Sequence, residues 1–414
     1  MTTVPVEHQR DSAEYPGKGR RVAVLAVHHV DGEGRPHAGG AEKYILLAIR
    51  ALLRSGACVH VGYSGKSIYE RLLEETEPDR LTVECTGWLD ARLRGDRWSR
   101  LALLTERRRW LKASRADTVF AIQQDCGASF AVSLLAARSL GLRVVSSIRQ
   151  MPPTERPPRL PEIGRWAAVL RRNWSASCCD AVIFNSRRVR DAYARIYGFS
   201  RDRLHVIHNG TPVIERAPAP HPNDLLTIAT AGRLTEAKGV DEVLSVFAKI
   251  AVRVPHVRLV YLGDGPLRRS LFLRAKALGL SHQVHFSGYQ PEGEALLEEV
   301  DIYLQLSHRE AMSNSVMEAM ARGIPCIVTD VGGLPEMIED GVSGLIVRPG
   351  DVDGCARAAE RLLTDSALRR RLGTSARERA RRMFAPGEFE ARTVRTILGV
   401  QKHAPSPASA LCGG

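Results

Sequence analysis

The sequence predicts an α/β protein made of two doubly wound domains that face each other across a cleft. Three observations predict this fold class. The chain has 414 residues, too long for one ordinary core and suited to two domains of about 200 residues each. Short runs rich in β-branched residues alternate with helical patterns along most of its length. A proline-rich segment interrupts this alternation once, near the middle.

Residues 19–216 are predicted to form the first domain. Apolar residues recur on one helical face over Ala41–Arg54, and a second helical pattern over Phe130–Leu140 ends at Gly141. Strands that alternate with helices form a parallel sheet covered on both faces, so we expect a doubly wound domain. The predicted strands are Arg21–Val27, Val59–Gly62, Leu81–Cys85, Thr118–Ile122, Val144–Ile148, Ala181–Phe184 and His205–Ile207.

Residues 217–224 contain three prolines, cannot hold a helix and are predicted to be a linker. The alternation resumes in residues 225–383, the predicted second domain. Two such domains bind a ligand where the carboxyl ends of their strands face a crevice. The predicted elements of the second domain, in chain order, are Leu226–Ala231, Val240–Val252, Val257–Leu262, Leu267–Leu278, Val284–Phe286, Ile302–Leu304, Ser315–Arg322 and Cys326–Thr329.

The charge of the chain is concentrated in its first half. Residues 1–216 hold 35 Lys and Arg against 23 Asp and Glu, whereas the remainder holds 24 against 23. A basic half can attract an anionic membrane surface or a phosphorylated acceptor, and we expect Arg107–Arg109 to contribute to a peripheral membrane contact. No zinc-finger spacing or aromatic-basic motif accompanies the charge, so no nucleic-acid partner is expected.

The sequence favours a cytoplasmic protein, with membrane association left open by the basic charge. No stretch approaches the roughly 20 apolar residues of a membrane-spanning helix. The first twenty residues carry no apolar segment behind a basic start. The eight cysteines are scattered without a CxxC pair, which favours buried thiols over metal ligands or disulfides.

Residues 307–325 are the most informative segment. They follow an apolar strand and contain a polar loop, then a helix that begins near Ser313 or Asn314 and stops at a Gly-Ile-Pro sequence. The N-terminus of such a helix offers unpaired N–H groups and a positive dipole end to an anion. Glu310 lies in the loop and Glu318 inside the helix, which suits a sugar on one side of a phosphate and a ribose on the other.

Arg233 and Lys238 lie in a loop directly after the first strand of the second half. Gly232 lets the backbone turn tightly there, and two cations five residues apart across a short loop can converge on one anion. The expected partner is a diphosphate. The alternative is a pair of exposed cations without a ligand.

Glycines mark other strand-to-helix turns. Gly39 and Gly40 open the Ala41–Arg54 helix and permit close approach of a ligand to the backbone. Gly263 ends one strand in a Gly-Asp-Gly-Pro sequence, and His208-Asn209-Gly210 ends the last strand before the linker. Each of these last two is predicted to be a turn, with a ligand contact as the alternative.

Taken together, these motifs resemble the retaining family 4 glycosyltransferases, which have the GT-B fold of two Rossmann-like domains facing a cleft. The resemblance runs from about Arg21 to Ile397 and is strongest from Thr227 to Arg348. The motifs that carry it are Gly-Gly-Ala-Glu at 39–42, Asn-Gly at 209–210, Gly-Arg-Leu at 232–234 with Lys-Gly at 238–239, Gly-Asp-Gly-Pro-Leu at 263–267, Glu-x7-Glu at 310–318 and Thr-Asp-Val-Gly-Gly at 329–333.

The resemblance implies a role for each motif. Arg233 and Lys238 hold the donor diphosphate and neutralise the leaving group, while Glu310 hydrogen-bonds the transferred sugar. Residues 384–400 form a helix that returns to the first domain. The nucleotide sugar is a substrate, so neither a metal nor a cofactor is implied. The implied donor-binding residues are Gly39, Gly40, Gly263, Met312, Ser313, Asn314, Ser315, Val316 and Glu318, the last on the ribose hydroxyls.

One departure concerns the sugar. Many members of the family carry a histidine at the end of the strand predicted here at Thr118–Ile122, whereas this chain has Gln123, Gln124 and Asp125. Either Gln124 or Asp125 takes over a sugar contact or the geometry differs, and Asp125 is included among the candidate catalytic residues.

The sequence alone does not determine the substrates. UDP is favoured over GDP or ADP as the nucleotide, and the acceptor is either a lipid-linked or phosphorylated molecule or a small secondary-metabolite aglycone. Two other functions compete with hexosyl transfer, namely a nucleotide-sugar 2-epimerase on the same fold and a non-catalytic sugar-nucleotide binding protein. An intact set of Glu310, Glu318, Arg233 and Lys238 favours transfer.

Overall fold

The structure, a computed structural model, contains two parallel β-sheets flanked by helices. This arrangement confirms the predicted fold class. The residues that the structure describes are 16–26, 40–63, 69, 71–74, 76–77, 79–86, 97–123, 128–152, 177–212, 225–289 and 295–400. The predicted linker at 217–224 lies outside them, as do Gly39, Gln124 and Asp125.

Within the described residues, the first sheet has seven strands in the order β3-β2-β1-β4-β5-β6-β7, and every pairing between them is parallel. The strand order reverses between β1 and β4, which is where an open α/β sheet opens a crevice for a ligand. The strands are β1 Arg21–Ala26, β2 Cys58–Tyr63, β3 Leu81–Cys85, β4 Thr118–Gln123, β5 Arg143–Ile148, β6 Ala181–Phe184 and β7 Leu204–Val206.

Helices cover both faces of this sheet. Its central strands are almost wholly buried, as in β1 and β5, because a parallel sheet packs helices on each side. One face carries α1, whose Tyr44, Ile45 and Ile49 are buried against the sheet. The helices of this half that fall within the described residues are α1 Gly40–Arg54, α2 Arg71–Glu74, α3 Arg97–Ala113, α4 Ala128–Ser139 and α5 Arg187–Tyr197.

In the part of the chain that the structure describes, the second sheet has six parallel strands in the order β10-β9-β8-β11-β12-β13. The order reverses again, here between β8 and β11, so the second crevice lies beside the end of β8. The strands are β8 Leu226–Ala231, β9 Val257–Leu262, β10 Val284–Gly288, β11 Ile302–Gln305, β12 Cys326–Thr329 and β13 Leu345–Val347. The helices are α6 Val240–Ala251, α7 Arg268–Ala277, α8 Asn314–Ala321, α9 Leu334–Met337, α10 Val352–Thr364 and α11 Ser366–Met383.

The last helix, α12 Pro386–Leu398, packs on the first sheet rather than the second. The ring of Phe389 meets that of Tyr44 on α1 edge-on, with centroids 5.8 Å apart. At the other end of α12, the Arg143 guanidinium donates to the carbonyls of Thr396 and Ile397, both at 3.0 Å. The chain therefore crosses between the two halves a second time after α11.

Helix α3 corrects one expectation about the basic surface. Arg107 was expected to face a membrane, but its side chain is fully buried among Leu104, Trp110 and Leu111, because residues three and four apart share one face of a helix. Burial also lowers the pKa of Arg107 to about 10. Of the three arginines, only Arg109 is exposed.

Over the part of the chain that the structure describes, none of the helices combines the length and the apolar character needed to cross a bilayer.

Candidate active site

Lys238 and Glu310 form an ion pair at the carboxyl edge of the second sheet. Lys238 ends a short 3-10 turn after β8, and its Nζ lies 2.5 Å from Glu310 Oε2. The Glu310 carboxylate is largely buried, with 11% of its side chain exposed. The Ser307 hydroxyl lies 3.5 Å from the same oxygen. The structure thus brings together two residues that are 72 positions apart in sequence.

Arg233 is exposed on the same loop as Lys238. The backbone turns there at Gly232, whose φ is +132°, and a Cβ built on Gly232 would lie 3.9 Å from Lys238 Cε. Gly263 packs behind this turn, since a Cβ on it would lie only 2.0 Å from the Gly232 carbonyl oxygen. The role of Gly263 visible in the structure is therefore close packing of two loops.

The N-terminus of α8 is fixed against the end of β8. The Ser313 hydroxyl caps the helix by accepting from the Val316 N–H at 3.4 Å and donates to Gln305 Oε1 at 3.2 Å. Ser315 Oγ lies 3.4 Å from the Ala231 carbonyl oxygen, at the end of β8. The free N–H groups and positive dipole end of α8 therefore lie beside the loop that carries Arg233.

Met312 and Val316 differ from the polar residues beside them in where their side chains lie. Both side chains are buried in the core beneath α8, so only their backbone groups can face a ligand. The side chains of Ser313 and Ser315 are engaged in the capping network described above, which leaves Asn314 as the side chain at the helix tip that reaches across the cleft.

Contacts from the first half of the chain close the cleft opposite α8. Asn314 Nδ2 donates to the Gly40 carbonyl at 3.3 Å, and Asn209 Nδ2 donates to Asn314 Oδ1 at 2.5 Å. A Cβ on Gly40 would lie 2.9 Å from Asn314 Nδ2, so a side chain there would displace the Asn314 amide. The Glu318 carboxylate, implied to bind ribose, lies 2.9 Å from Lys43 Nζ on α1.

Glu336 provides a second link between the halves. Its carboxylate accepts the first two N–H groups of α5, from Arg187 at 2.9 Å and Arg188 at 2.6 Å. A carboxylate at a helix N-terminus satisfies orphan donors and the positive dipole end. The Arg188 guanidinium in turn forms an ion pair with the Asp330 carboxylate at 2.7 Å. The second half of the chain thus caps a helix of the first.

Buried polar groups follow β5, β6 and β7 at the carboxyl edge of the first sheet. Arg149 lies directly after β5, with its guanidinium carbon 3.7 Å from the centroid of the Tyr44 ring. Asn185 follows β6 and His208 follows β7, and both are largely buried. Their positions point this edge of the first sheet toward the same cleft as Gly40 and Asn209.

The pKa of His208 is lowered to about 4, first by burial and then by the cations Arg392, Arg187 and Arg149. These effects outweigh the Glu336 carboxylate, whose Oε2 lies 4.0 Å from His208 Nε2 and favours the charged imidazole. The backbone of Met383 also bonds the ring and favours its charged form. His208 is therefore neutral in the folded protein near pH 7.

This shift predicts acid sensitivity. The unfolded chain takes up the proton at a pH near 6.5, and the folded chain takes it up only near pH 4. The free energy of unfolding therefore carries no penalty from His208 above about pH 6.5, and it falls by up to about 3 kcal/mol as the pH drops to 4. Urea unfolding of the wild type and of His208→Gln between pH 7.5 and 4 tests this. The variant should lose less stability over that interval, and parallel curves would show that His208 does not titrate in this way.

Several residues of the site were not predicted from the sequence. Lys43, Glu336 and Arg149 act through contacts with distant parts of the chain, so no local motif marks them. Gln305 could have been predicted, because it is a polar residue at the end of an otherwise apolar strand. Its side chain is buried in the structure, with 1% exposed. A buried polar side chain needs partners, and Gln305 finds them at the tip of α8. Among the described residues, no group of three or more His, Cys, Asp or Glu side chains is arranged to hold a metal ion.

Known proteins resemble this chain over part or most of its length. It is 32% identical to the lipopolysaccharide core biosynthesis glycosyltransferase LpsE of Rhizobium meliloti over 48% of this chain and 58% of that protein. It is 39% identical to the N-acetyl-α-D-glucosaminyl L-malate synthase of Bacillus anthracis, over 36% of this chain and 39% of that protein. The chain therefore spans about half the length of these two relatives. A longer match, 27% identical over 89% of this chain and 94% of the relative, is to the D-inositol 3-phosphate glycosyltransferase of Xylanimonas cellulosilytica.

Solved structures share the fold. The Anabaena protein HepE, crystallised with UDP, superimposes with a TM-score of 0.72 at 20% identity, over 92% of this chain and all of that one. The sucrose-phosphate synthase of Thermosynechococcus elongatus superimposes with a TM-score of 0.71 at 18% identity, over 90% of this chain and 97% of that one. These neighbours are GT-B proteins, and the chain has the same fold.

Two family models match the chain one after the other. The model described as Glycosyltransferase Family 4 matches residues 38–213, and the model described as Glycosyl transferases group 1 matches residues 214–379. The first covers the domain that contributes Gly40, Arg149 and Asn209, and the second covers Arg233, Lys238, Glu310 and the tip of α8. With both halves of its cleft matched in this way, the chain belongs to the family 4 glycosyltransferases.

Proposed function

We propose that this chain transfers a hexose-type sugar from UDP to a hydroxyl group of an acceptor, with retention of anomeric configuration and without a metal ion. The observation that carries the proposal is the convergence of Lys238, Glu310 and the N-terminus of α8 at one edge of the second sheet, opposite Gly40. This arrangement suits a diphosphate that lies between two domains and leaves during the reaction.

Electrostatic stabilisation of the leaving group is the main catalytic contribution in this proposal. Lys238, Arg233 and the helix end provide fixed positive potential where negative charge develops as the sugar–phosphate bond breaks. The helix tip is oriented before the reaction by hydrogen bonds to the ends of β8 and β11. Lys238 is oriented by its ion pair with Glu310. A diphosphate placed there takes over the role of Glu310 as the partner of Lys238.

Glu310 then binds the sugar. In the structure its carboxylate is paired with Lys238, and a donor diphosphate would draw the ammonium toward the phosphates. The carboxylate is thereby released to accept hydrogen bonds from sugar hydroxyls. In the same way, binding of the ribose hydroxyls to Glu318 requires the carboxylate to share or exchange its contact with Lys43.

Retention follows from attack on the face that the leaving group vacates. The bond from the anomeric carbon to the phosphate oxygen breaks, and both of its electrons leave with UDP. The acceptor oxygen bonds to the anomeric carbon on the same face, and its proton moves to an oxygen of the departing phosphate. No side chain of the protein needs to form a covalent intermediate.

UDP is favoured because HepE, which shares the fold over its full length, has been crystallised with UDP and with UDP-glucose. Two relatives suggest the class of acceptor. Their names contain L-malate and D-inositol 3-phosphate, which both combine hydroxyl and acidic groups. We therefore favour a small hydroxylated acceptor that carries an anionic group over an apolar aglycone.

The proposal is tested with the full chain and a panel of UDP-hexoses in EDTA, without an added acceptor. We expect one donor to stabilise the protein by about 2.7 kcal/mol at a hundred times its dissociation constant. Slow transfer to water should release UDP and a free hexose that keeps the anomeric configuration of the donor when it is first observed by NMR.

Other outcomes discriminate between the competing functions. Conversion of the UDP-hexose to its 2-epimer would assign an epimerase, and binding without turnover, even with a panel of phosphorylated polyols and hydroxy acids, would assign a binding protein. Release of the inverted anomer would contradict the mechanism while leaving the donor site intact.

A further inference from the structure

Arg149 is a buried cation that the donor site does not use. It follows β5 at the carboxyl edge of the first sheet, and only 9% of its surface is exposed. Both of its terminal nitrogens, Nη1 and Nη2, are buried, and neither has a hydrogen-bond partner among the described residues. One face of the guanidinium stacks on the Tyr44 ring, which holds the group in place without satisfying its donors.

The guanidinium remains charged in this position. Burial lowers the pKa of Arg149 to about 10, which still leaves it protonated at neutral pH. The other charged groups that act on the same buried edge, Arg187 and Arg392, are also positive. The Glu336 carboxylate, which lies 4.0 Å from His208 at the same edge, is already bonded to the N-terminus of α5. Within the described residues, Arg149 therefore has no counter-ion.

A buried charge without a partner is costly, and proteins keep such groups mainly where a ligand supplies the partner. Arginine is suited to this role because its planar fork binds carboxylate and phosphate oxygens in a bidentate way. Asn185 follows the neighbouring strand β6, and among the described residues its buried side-chain oxygen Oδ1 also has no hydrogen-bond partner. The carboxyl edge of the first sheet thus carries a buried cation and a buried polar group without hydrogen-bond partners among the described residues.

Arg149 and the cations suited to the donor diphosphate lie at the edges of different sheets. The groups suited to the diphosphate, Arg233 and Lys238, belong to the second sheet, whereas Arg149 belongs to the first. The two sides meet at Asn209, which follows His208 at the end of β7 and donates to Asn314 at the tip of α8. An anion on Arg149 would therefore be held from the domain opposite the donor.

We propose that Arg149 binds an oxyanion of the acceptor, a phosphate or a carboxylate, and so orients the acceptor hydroxyl toward the donor sugar. This inference rests on the proposed function, because it assigns the second substrate of the same cleft. The acceptor is accordingly an anionic molecule that brings both a hydroxyl and a counter-ion for Arg149.

The test uses the full chain saturated with UDP, which occupies the donor diphosphate site, and titrates inorganic phosphate and malonate by calorimetry and thermal shift. The wild type should bind one of these anions. Arg149→Met should weaken that binding at least twentyfold, leave UDP affinity within a factor of two, and leave the melting temperature without ligand unchanged or raised. Arg149→Lys, which keeps the charge but loses the fork, should weaken anion binding about tenfold.

Arg143→Lys is the matched control, since Arg143 lies at the other end of β5 with its donors bonded to the carbonyls of α12. It should lower the melting temperature and leave anion affinity unchanged.

Three results would overturn the inference. The first is a wild type that binds neither anion in the presence of UDP. The second is an Arg149→Met variant that loses UDP affinity and keeps anion affinity, which would place Arg149 on the donor. The third is unfolding of Arg149→Met together with unchanged anion binding in Arg149→Lys, which would make Arg149 structural. Failure to bind UDP at all would instead refute the proposed function, and the same anion titration without UDP would still test Arg149.

Discussion

Replacing Lys238 by alanine should lower kcat/KM for sugar transfer by about a hundredfold to a thousandfold while the protein remains folded. A group aimed at developing charge in a preorganised site contributes about 3 to 4 kcal/mol to the transition state. Lys238 meets that description, because its ammonium is fixed by Glu310 beside the end of β8 and the tip of α8. Initial rates of UDP release measure the effect, and circular dichroism checks the fold.

Lys249→Ala is a matched control. Lys249 also forms an ion pair, with Asp353 at 2.9 Å, but both side chains are at least half exposed and the pair lies on the surface. An exposed pair contributes little to stability, so this variant should keep its activity within a factor of two. Equal losses of activity in the two variants would point to a general effect of removing a lysine.

The pair with Glu310 requires one further variant, because Lys238→Ala also leaves a largely buried carboxylate without its partner. In Lys238→Ala/Glu310→Gln that unpaired charge is removed. If Lys238 serves only to neutralise Glu310, the double variant should recover most of the activity of the Glu310→Gln variant. If Lys238 stabilises the leaving diphosphate, the double variant should be at least as inactive as Lys238→Ala.

Most strands of the two sheets could be predicted closely from the sequence, whereas β13 was not predicted. Leu81–Cys85, Ala181–Phe184, Leu226–Ala231, Val257–Leu262 and Cys326–Thr329 have the same bounds in the structure as in the prediction. A buried parallel strand is a short run of β-branched residues between turn residues, so its ends are marked locally. Family membership and the GT-B fold could be predicted for the same reason, since the motifs that carry them lie at those strand ends.

The helices were less predictable where charge obscures their periodicity. Helix α11 is rich in arginine, and its buried face consists of two leucines with Ala376, Ala380 and Gly373. Alanine and glycine give a weak apolar signal, although they let α11 pack closely against Gly323 and Pro325 at the end of α8. The buried face of α3 is also difficult to recognise in the sequence, because Arg107 is one of the residues on it.

The residue types of the site were predictable, but their partners were not. Lys238 and Glu310 were expected to bind different parts of the donor, and the structure adds that they bind each other. Asn314 was expected to present its backbone to a phosphate, whereas its side chain joins the two halves through Gly40 and Asn209. Such contacts depend on how two separately folded sheets face each other, which no local pattern records.

Gly239→Ala should destabilise the protein by about 3 kcal/mol or more. Gly239 has a φ of +61°, a left-handed conformation that costs other residues about 1 to 2 kcal/mol. In addition, a Cβ at this position would lie 1.9 Å from the Leu306 carbonyl oxygen. That overlap involves backbone atoms on both sides, so relief requires the turn after β8 to move away from the end of β11.

Gly341→Ala separates the conformational penalty from the cost of the contact with Leu306. Gly341 has a similar φ of +73°, but a Cβ there would meet nothing within 4 Å. It should therefore cost only the conformational penalty of about 1 to 2 kcal/mol. Urea unfolding of both variants gives the difference, and equal losses of stability would show that the contact with Leu306 adds nothing.

The displacement caused by Gly239→Ala also has a predicted effect on activity. Lys238 precedes Gly239, and Leu306 begins the segment that leads to Glu310, so moving these two backbones apart separates the ion pair. At a temperature where the variant is still folded, it should lose at least tenfold in kcat/KM, because a small misplacement of a charged group weakens transition-state stabilisation. Gly341→Ala, far from this pair in sequence and unobstructed, should retain its activity. A folded Gly239→Ala variant with normal activity would show that the spacing of these two loops does not control the position of Lys238.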